Sequence, residues 1–461
     1  MRSFTMRTCA RSGFRLVALT IGVLVMLSTA ALSQVPAAGA PGGSPPAPVS
    51  RETRAAIVDS VTATLNDGYV FGDVAKKMEK ELRRKLKKGE YDAITSIQEF
   101  AQTLTQDLQG VSNDQHLRVL YAGPEMLARS AQTKEDPAVA RERELRDLKK
   151  RNFAFKKVEI LDGNVGYLRF DEFVGAGLSG PTATAAMNFL ANCDAIIVDV
   201  RQNGGGDPTL VQYLMGYLLE KPTHLNSFYT RNNDSLQQCW SAPWVAGPAM
   251  TGVDLFVLTS ARTFSCAEEF TYNIKNLKRG TIVGETTGGG AHPIYRAIFP
   301  SLGVAMSVPY ARAINPISGT NWEGTGVAPD IQVPEKDALD TAYIEALKRL
   351  SERATDDDRW ALDWAVQGLE ARLHPVDVAP AILASYAGTY GPRVITIEDG
   401  ALVYRREGRP ALRATPITET IFGFADAPQF RLEIALDEQG TPTKLIGRYD
   451  NGMTDESLRT Q

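Results

Sequence analysis

Four short segments hold the residues whose types and spacing could do chemistry. In VDLFVLTSARTFSCAEEFTYNIKNLK (253–278) a buried-strand run gives way to helical spacing at Cys266, with Phe270, Ile274 and Leu277 on one face. Ser265 falls at the joint, where the amides of a helix N-terminus can stabilise negative charge beside its hydroxyl. That suits a nucleophile in acyl transfer. The same Ser265-Cys-Ala-Glu268 satisfies the S/T-x-x-E capping box, in which the serine only closes the helix. In AIIVDVRQNGGGDP (195–208) an apolar strand leads through Asp199, Arg201 and Asn203 into three glycines. Backbone N–H groups there can approach a ligand without a Cβ in the way. Gly204 or Gly205, with the N–H of Cys266, would make an oxyanion hole; the bland alternative is a tight strand-to-helix turn.

VSNDQHLRVLY (111–121) places His116 in a polar turn before a short alternating strand, and a histidine is the usual proton acceptor for a serine. The chain has four histidines, His116, His224, His292 and His374. His292 lies beside the glycine loop GETTGGGAH (284–292) and competes with His116 for the role of base. NWEGTGVAPDIQV (321–333) supplies Glu323 ahead of a Gly-x-Gly turn, a carboxylate that could orient a histidine or belong to an ordinary loop.

In this order the four segments resemble the C-terminal processing (tail-specific) serine peptidases, most closely the branch containing tricorn protease and the repeats of interphotoreceptor retinoid-binding protein. The resemblance covers roughly 50–350. It implies Ser265 as nucleophile, backbone donors at Cys266 and the glycines after Arg201-Gln-Asn, and a Clp-protease/crotonase-like ββα-spiral core. The bacterial processing enzymes take their base from a lysine in the later glycine loop, and Gly290 stands in that place. The tricorn-like branch uses a histidine and a glutamate, which fall on His116 and Glu323; its additional serine before the histidine is Gln115 here. The implied activity is hydrolysis of peptide or protein substrates through an acyl-enzyme, with no cofactor and no metal. A noncatalytic relative that binds a hydrophobic small molecule or peptide on the same fold is the alternative.

The elements that must position these residues follow from periodicity. Segments 51–66, 73–88 and 92–109 have helical spacing and predict a helical domain over 51–121, followed by a helical connection at 122–156 too short for a PDZ domain. Strands and helices then alternate through a core at 157–350. After a helical linker at 351–374, alternating apolar residues, an Asp-Gly turn at 399–400 and a Gly-Thr-Pro turn at 440–442 predict about six antiparallel strands in a C-terminal β-domain, 375–461. The fold class expected is therefore α/β with a helical front and a β-domain behind.

The N-terminus reads as a signal peptide. Arg2, Arg7, Arg11 and Arg15 precede or flank an apolar run to Leu32 that ends in small residues, which predicts cleavage near Ser33 or Gln34 and a periplasmic or secreted protein; an uncleaved anchor is the alternative. A Pro/Gly/Ala linker follows at 34–50. Removal of those four arginines takes the formal charge from −4 to −8, which argues against a nucleic-acid partner. No stable membrane insertion is expected after cleavage, and the sequence says nothing of oligomeric state. Cys193, Cys239 and Cys266 form no disulfide framework and no metal-ligand spacing, though a Cys193–Cys239 bridge is compatible with the sequence.

Overall fold

The computed structural model describes residues 49–124, 126 and 136–460. The expected signal peptide and nearly all of the 34–50 linker lie outside the described residues. No helix among the described residues is long and apolar enough to cross a membrane.

A six-stranded sheet organises the centre, in the order Ile331–Gln332, Thr281–Gly284, Asp254–Thr259, Ala195–Asp199, Val165–Phe170, Phe155–Leu161. All neighbours are parallel except the last pair. Parallel strands buried on both faces read as continuous apolar runs, and all five residues of Ala195–Asp199 are buried. Helices Ala176–Phe189, Pro208–Leu218 and Cys266–Asn276 cover one face through Leu210, Leu214, Phe270 and Ile274. Helices Ala338–Arg353 and Asp356–Leu373 cover the other through Ala342, Leu347 and Val366. The expected α/β core is present, with two further strands, His224–Thr230 and Ser235–Trp240, between helix Pro208–Leu218 and strand Asp254–Thr259.

The helical region comprises Arg51–Gly68, Gly72–Lys87 and Ile97–Ser112. Its apolar residues Ile57, Val61, Leu65 and Leu104 share one cluster with Val304, Met306 and Val308. Strand Arg118–Tyr121 pairs with Val304–Pro309, which pairs with Ile294–Phe299. His116 thus sits two residues before a strand anchored to the core hairpin.

The C-terminal sheet has eight antiparallel strands in chain order, from Gly388–Tyr390 to Thr454–Leu458, where about six were expected. A bridge between Tyr390 and Arg459 brings its two edges together, so it nearly closes. The first strand has only three residues, and the last, TDESL, has no apolar face to signal it. Cys193, Cys239 and Cys266 are buried and unpaired, so the Cys193–Cys239 bridge left open by the sequence does not form.

Candidate active site

Three loops leave the carboxyl ends of the central parallel strands, the place where open α/β sheets bind ligands. Residues 260–265 are stitched to the neighbouring loop: Ser260 Oγ donates to the Arg201 carbonyl at 2.6 Å, Thr263 Oγ1 to Val200 at 2.9 Å, and the Phe264 N–H to Asn203 at 3.1 Å. Ser265 then emerges with φ 54° and ψ −121°. A residue with a β-carbon is rarely found at positive φ, and a capping serine normally has extended backbone angles. Helix Cys266–Asn276 starts at the next residue.

Glu268 extends the capping box well beyond the helix. Its fully buried carboxylate accepts the Ser265 N–H at 2.9 Å and also Thr287 Oγ1 at 2.5 Å, Gly289 N–H at 2.7 Å and Gly290 N–H at 2.8 Å. Burial raises its pKa to about 7 even against these donors. The backbone of Ser265 is thereby tied to the glycine loop.

Gly205 has φ 103°, and a Cβ there would stand 2.6 Å from Ser265 Cβ and 3.0 Å from Cys266 N, so only glycine brings the loop against the serine. Its N–H donates to Asn203 Oδ1 at 2.9 Å, while Asn203 Nδ2 donates to the Phe170 carbonyl at 3.0 Å. Of the two glycines expected as oxyanion donors, Gly205 therefore has its N–H already engaged within the loop. The buried thiol of Cys266 donates to the Gly206 carbonyl at 3.1 Å, and burial drives its pKa far up, which leaves it inert as a nucleophile.

His116 packs on Phe264, the residue before Ser265, with ring centroids 4.6 Å apart. A Cβ on Gly290 would lie 2.2 Å from Phe264 Cζ and 2.6 Å from His116 Cε1. The space that a side chain at 290 would enter is occupied by the histidine ring. The buried Nδ1 of His116 has no hydrogen-bond partner among the described residues, and Glu323 Oε2 stands 3.9 Å from it.

Glu323 is fixed by backbone donors: Gln115 N–H at 2.8 Å on one oxygen, Ala291 N–H at 2.5 Å and His292 N–H at 3.2 Å on the other. Burial works against its charge, but the two histidine rings and the Ala291 donor outweigh that and hold its pKa below the usual carboxylate range. His292 is buried, with Nδ1 2.7 Å from Asp114 Oδ2. Burial alone would lower its pKa; Asp114 and Glu323 reverse this and raise it. Asp114, fully buried, also accepts the Tyr69 hydroxyl at 3.1 Å and the His116 N–H at 3.1 Å.

Asp114, His292 and Glu323 offer ligand atoms within 4.8 Å of one another, the spacing of a metal site. Each is already engaged in the hydrogen bonds just described, which makes the trio a positioning network for the His116 turn. Sequence reading passed over Asp114, although it lies two residues before His116 in a segment already singled out. It saw Glu268 only as a cap, since the partners at 287–290 are contiguous with it only in the fold.

Residues 164–333 match Peptidase family S41, and residues 49–161 match the N-terminal domain of that family in eukaryotic interphotoreceptor retinoid-binding protein. The chain belongs to peptidase family S41. The "Putative Tricorn-like protease C-terminal subunit" of Sulfurisphaera tokodaii is 29% identical over 204 residues, which are 42% of this chain and 22% of that protein. The "Putative tricorn protease homolog 2" of Streptomyces coelicolor is 26% identical over 174 residues, 38% of this chain and 14% of that protein. The S41 chain thus spans 22% or less of the length of these curated relatives. Among solved structures, the photosystem II D1 C-terminal processing protease aligns with TM-score 0.39 and 15% identity, over 61% of this chain and 94% of that one. The family is the one the four segments resemble, and both curated relatives carry tricorn-like names. Within the S41 match fall Ser265, the three glycines, the glycine loop and Glu323; His116 lies in the N-terminal match.

Proposed function

We propose that the chain is an exported serine peptidase that hydrolyses peptide bonds through an acyl-enzyme on Ser265. The observation that carries this reading is the seating of His116 against Phe264 and Glu323 in the space left by Gly290, next to a serine held at positive φ on a helix start. His116 takes the Ser265 proton, the hydroxyl oxygen attacks the substrate carbonyl, and the C–N bond breaks as the proton passes from His116 to the leaving amine. Water then repeats the sequence on the acyl-enzyme.

The buried Nδ1–H of the imidazolium formed in this cycle needs an acceptor, and Glu323 Oε2 is the carboxylate placed to move in from 3.9 Å. The N–H groups of Cys266 and Gly204 receive the oxyanion in this reading, since that of Gly205 serves the loop. His292 is a positioning residue behind Glu323. Export rests on the arginine-flanked apolar run at the N-terminus.

Labelling with a fluorophosphonate probe at neutral pH, read by intact mass, tests this directly. An adduct on the wild type that disappears in Ser265→Ala and His116→Ala is expected. A folded wild type that takes no adduct would overturn the reading in favour of a noncatalytic binding protein.

A further inference from the structure

The first turn of helix Cys266–Asn276 holds a buried acid that the chemistry on Ser265 does not use. Glu269 is 2% exposed, and its N–H donates to the Ser265 carbonyl at 2.9 Å. Facing it from strand His224–Thr230 is Asn226, 1% exposed, whose Nδ2 donates to Glu269 Oε1 at 2.7 Å. The Oδ1 of the same amide is buried and has no hydrogen-bond partner among the described residues. A buried carbonyl oxygen without a donor is costly, and native folds seldom leave one. An ionised carboxylate cannot supply the donor because its oxygens only accept, whereas a protonated carboxyl has one O–H to give. Acid and amide then close a ring of two hydrogen bonds, the amide N–H to the acid and the acid O–H to the amide oxygen.

The surroundings favour that neutral form. Burial, with Asp207 opposing the charge, pushes the Glu269 pKa up to about 8 against the Asn226 donor. The other titratable groups that feel it are the buried thiols of Cys239, on the strand paired with that of Asn226, and of Cys266 on its own helix. No Lys or Arg among the described residues forms an ion pair with Glu269. Asp207 follows Gly206, whose carbonyl takes the Cys266 thiol, and it caps helix Pro208–Leu218 through the Thr209 N–H at 2.8 Å. Charge on Glu269 would therefore press on the glycine loop that meets Ser265.

We propose that Glu269 is kept as a neutral carboxylic acid paired with Asn226, and that in this form it is a positioning residue for Ser265 and the glycine loop. When its proton leaves to solvent, the pair opens and a negative charge faces Asp207, so the reaction acquires an alkaline limb that does not come from the base. The positioning role rests on the peptidase reading; the acid–amide pair does not.

Infrared difference spectra of the full chain, wild type minus Glu269→Gln, read the pair directly. At pH 7 the wild type should show the carbonyl stretch of a protonated carboxyl that the variant lacks, shifted in Asn226→Leu and lost as the pH is raised past about 8. The rate of fluorophosphonate labelling reads the positioning. In the wild type it should fall about fivefold from pH 8 to pH 9, as does the neutral fraction of a group titrating at about 8. Glu269→Gln, whose amide can make both hydrogen bonds to Asn226 without a titrating proton, should keep the neutral-pH rate and lose the decline. Absence of the carboxyl band, or a band that Asn226→Leu leaves unmoved, overturns the pair. A decline that survives in Glu269→Gln, or a wild type that labels equally fast while its band titrates away, overturns the positioning. A folded chain that labels at no pH sinks the peptidase reading and the positioning with it, and the infrared band still decides the pair.

Discussion

At the scale of single residues, Ser265 holds a conformation that costs stability. Positive φ on a residue with a β-carbon stores roughly 1–3 kcal/mol, and such strain persists where the surroundings over-determine it. Here the Glu268 carboxylate on its N–H and Gly205 against its Cβ do so. Ser265→Gly should therefore unfold at higher denaturant than Ser265→Ala, by about 1 kcal/mol, though both abolish labelling. Equal midpoints would show that the backbone is relaxed. Gly290→Ala should act through the base, because its methyl group collides with the Phe264 and His116 rings. We expect it to cut kcat/KM on the order of a hundredfold with little change in KM, since a displaced base fails only in the transition state. Glu323→Gln should lose as much or more, because the His116 imidazolium would then lack its counter-charge. Retention of wild-type rate in either variant would point to a different base.

The helix Cys266–Asn276 is the element on which the site turns, and its first turn buries two carboxyl groups. Burial raises Glu268 to about 7 and Glu269, whose carboxylate accepts the Asn226 amide at 2.7 Å, to about 8, both from an ordinary 4.5. Between 4.5 and those values the folded state binds more protons than the unfolded one, so stability falls as pH rises from about 4.5 to about 8 and then levels. Glu269→Gln should flatten the upper part of that decline and raise the melting temperature at pH 8.5 more than at pH 5.5. An unchanged difference between the two pH values in thermal melts would refute the assignment to Glu269. What was legible in the sequence follows the same element logic. The strand runs, Ser265 and His116 are local signals of burial, periodicity and turn chemistry. The start of helix Ala176–Phe189 has no clear sequence signal, because GAGLSGP is loop-like in composition, yet Pro181 falls inside the helix. The roles of Asp114 and Glu268 were hidden because their partners, His292 and residues 287–290, are distant in sequence and converge only in the folded chain.

For the whole molecule, the question is whether the C-terminal sheet serves the site or only accompanies it. Its core of Tyr386, Tyr390, Phe422, Leu432 and Leu445 is its own, and its edges nearly close. It meets the rest through helix Asp356–Leu373. Arg431 stacks 3.7 Å from the Trp364 ring and also bonds the Trp364 carbonyl and Gln367, while Trp360 Nε1 donates to the Tyr449 carbonyl at 3.3 Å. Burial lowers the Arg431 pKa to about 10, which still leaves it charged at neutral pH. None of the groups placed around Ser265 comes from residues after 374, and that helix packs its other side on the central sheet through Leu362, Val366 and Leu369. A chain ending at His374 should therefore keep its core and label at Ser265 as fully, per folded molecule, as the intact protein. Its cost should appear as aggregation, because Trp360 and Trp364 lose their cover. Intact mass after fluorophosphonate treatment, with circular dichroism to confirm folding, decides the matter. A folded truncated chain that no longer labels would mean that the β-domain holds the site in its working shape across the Arg431–Trp364 contact, and Arg431→Ala in the full chain should then reproduce part of the loss.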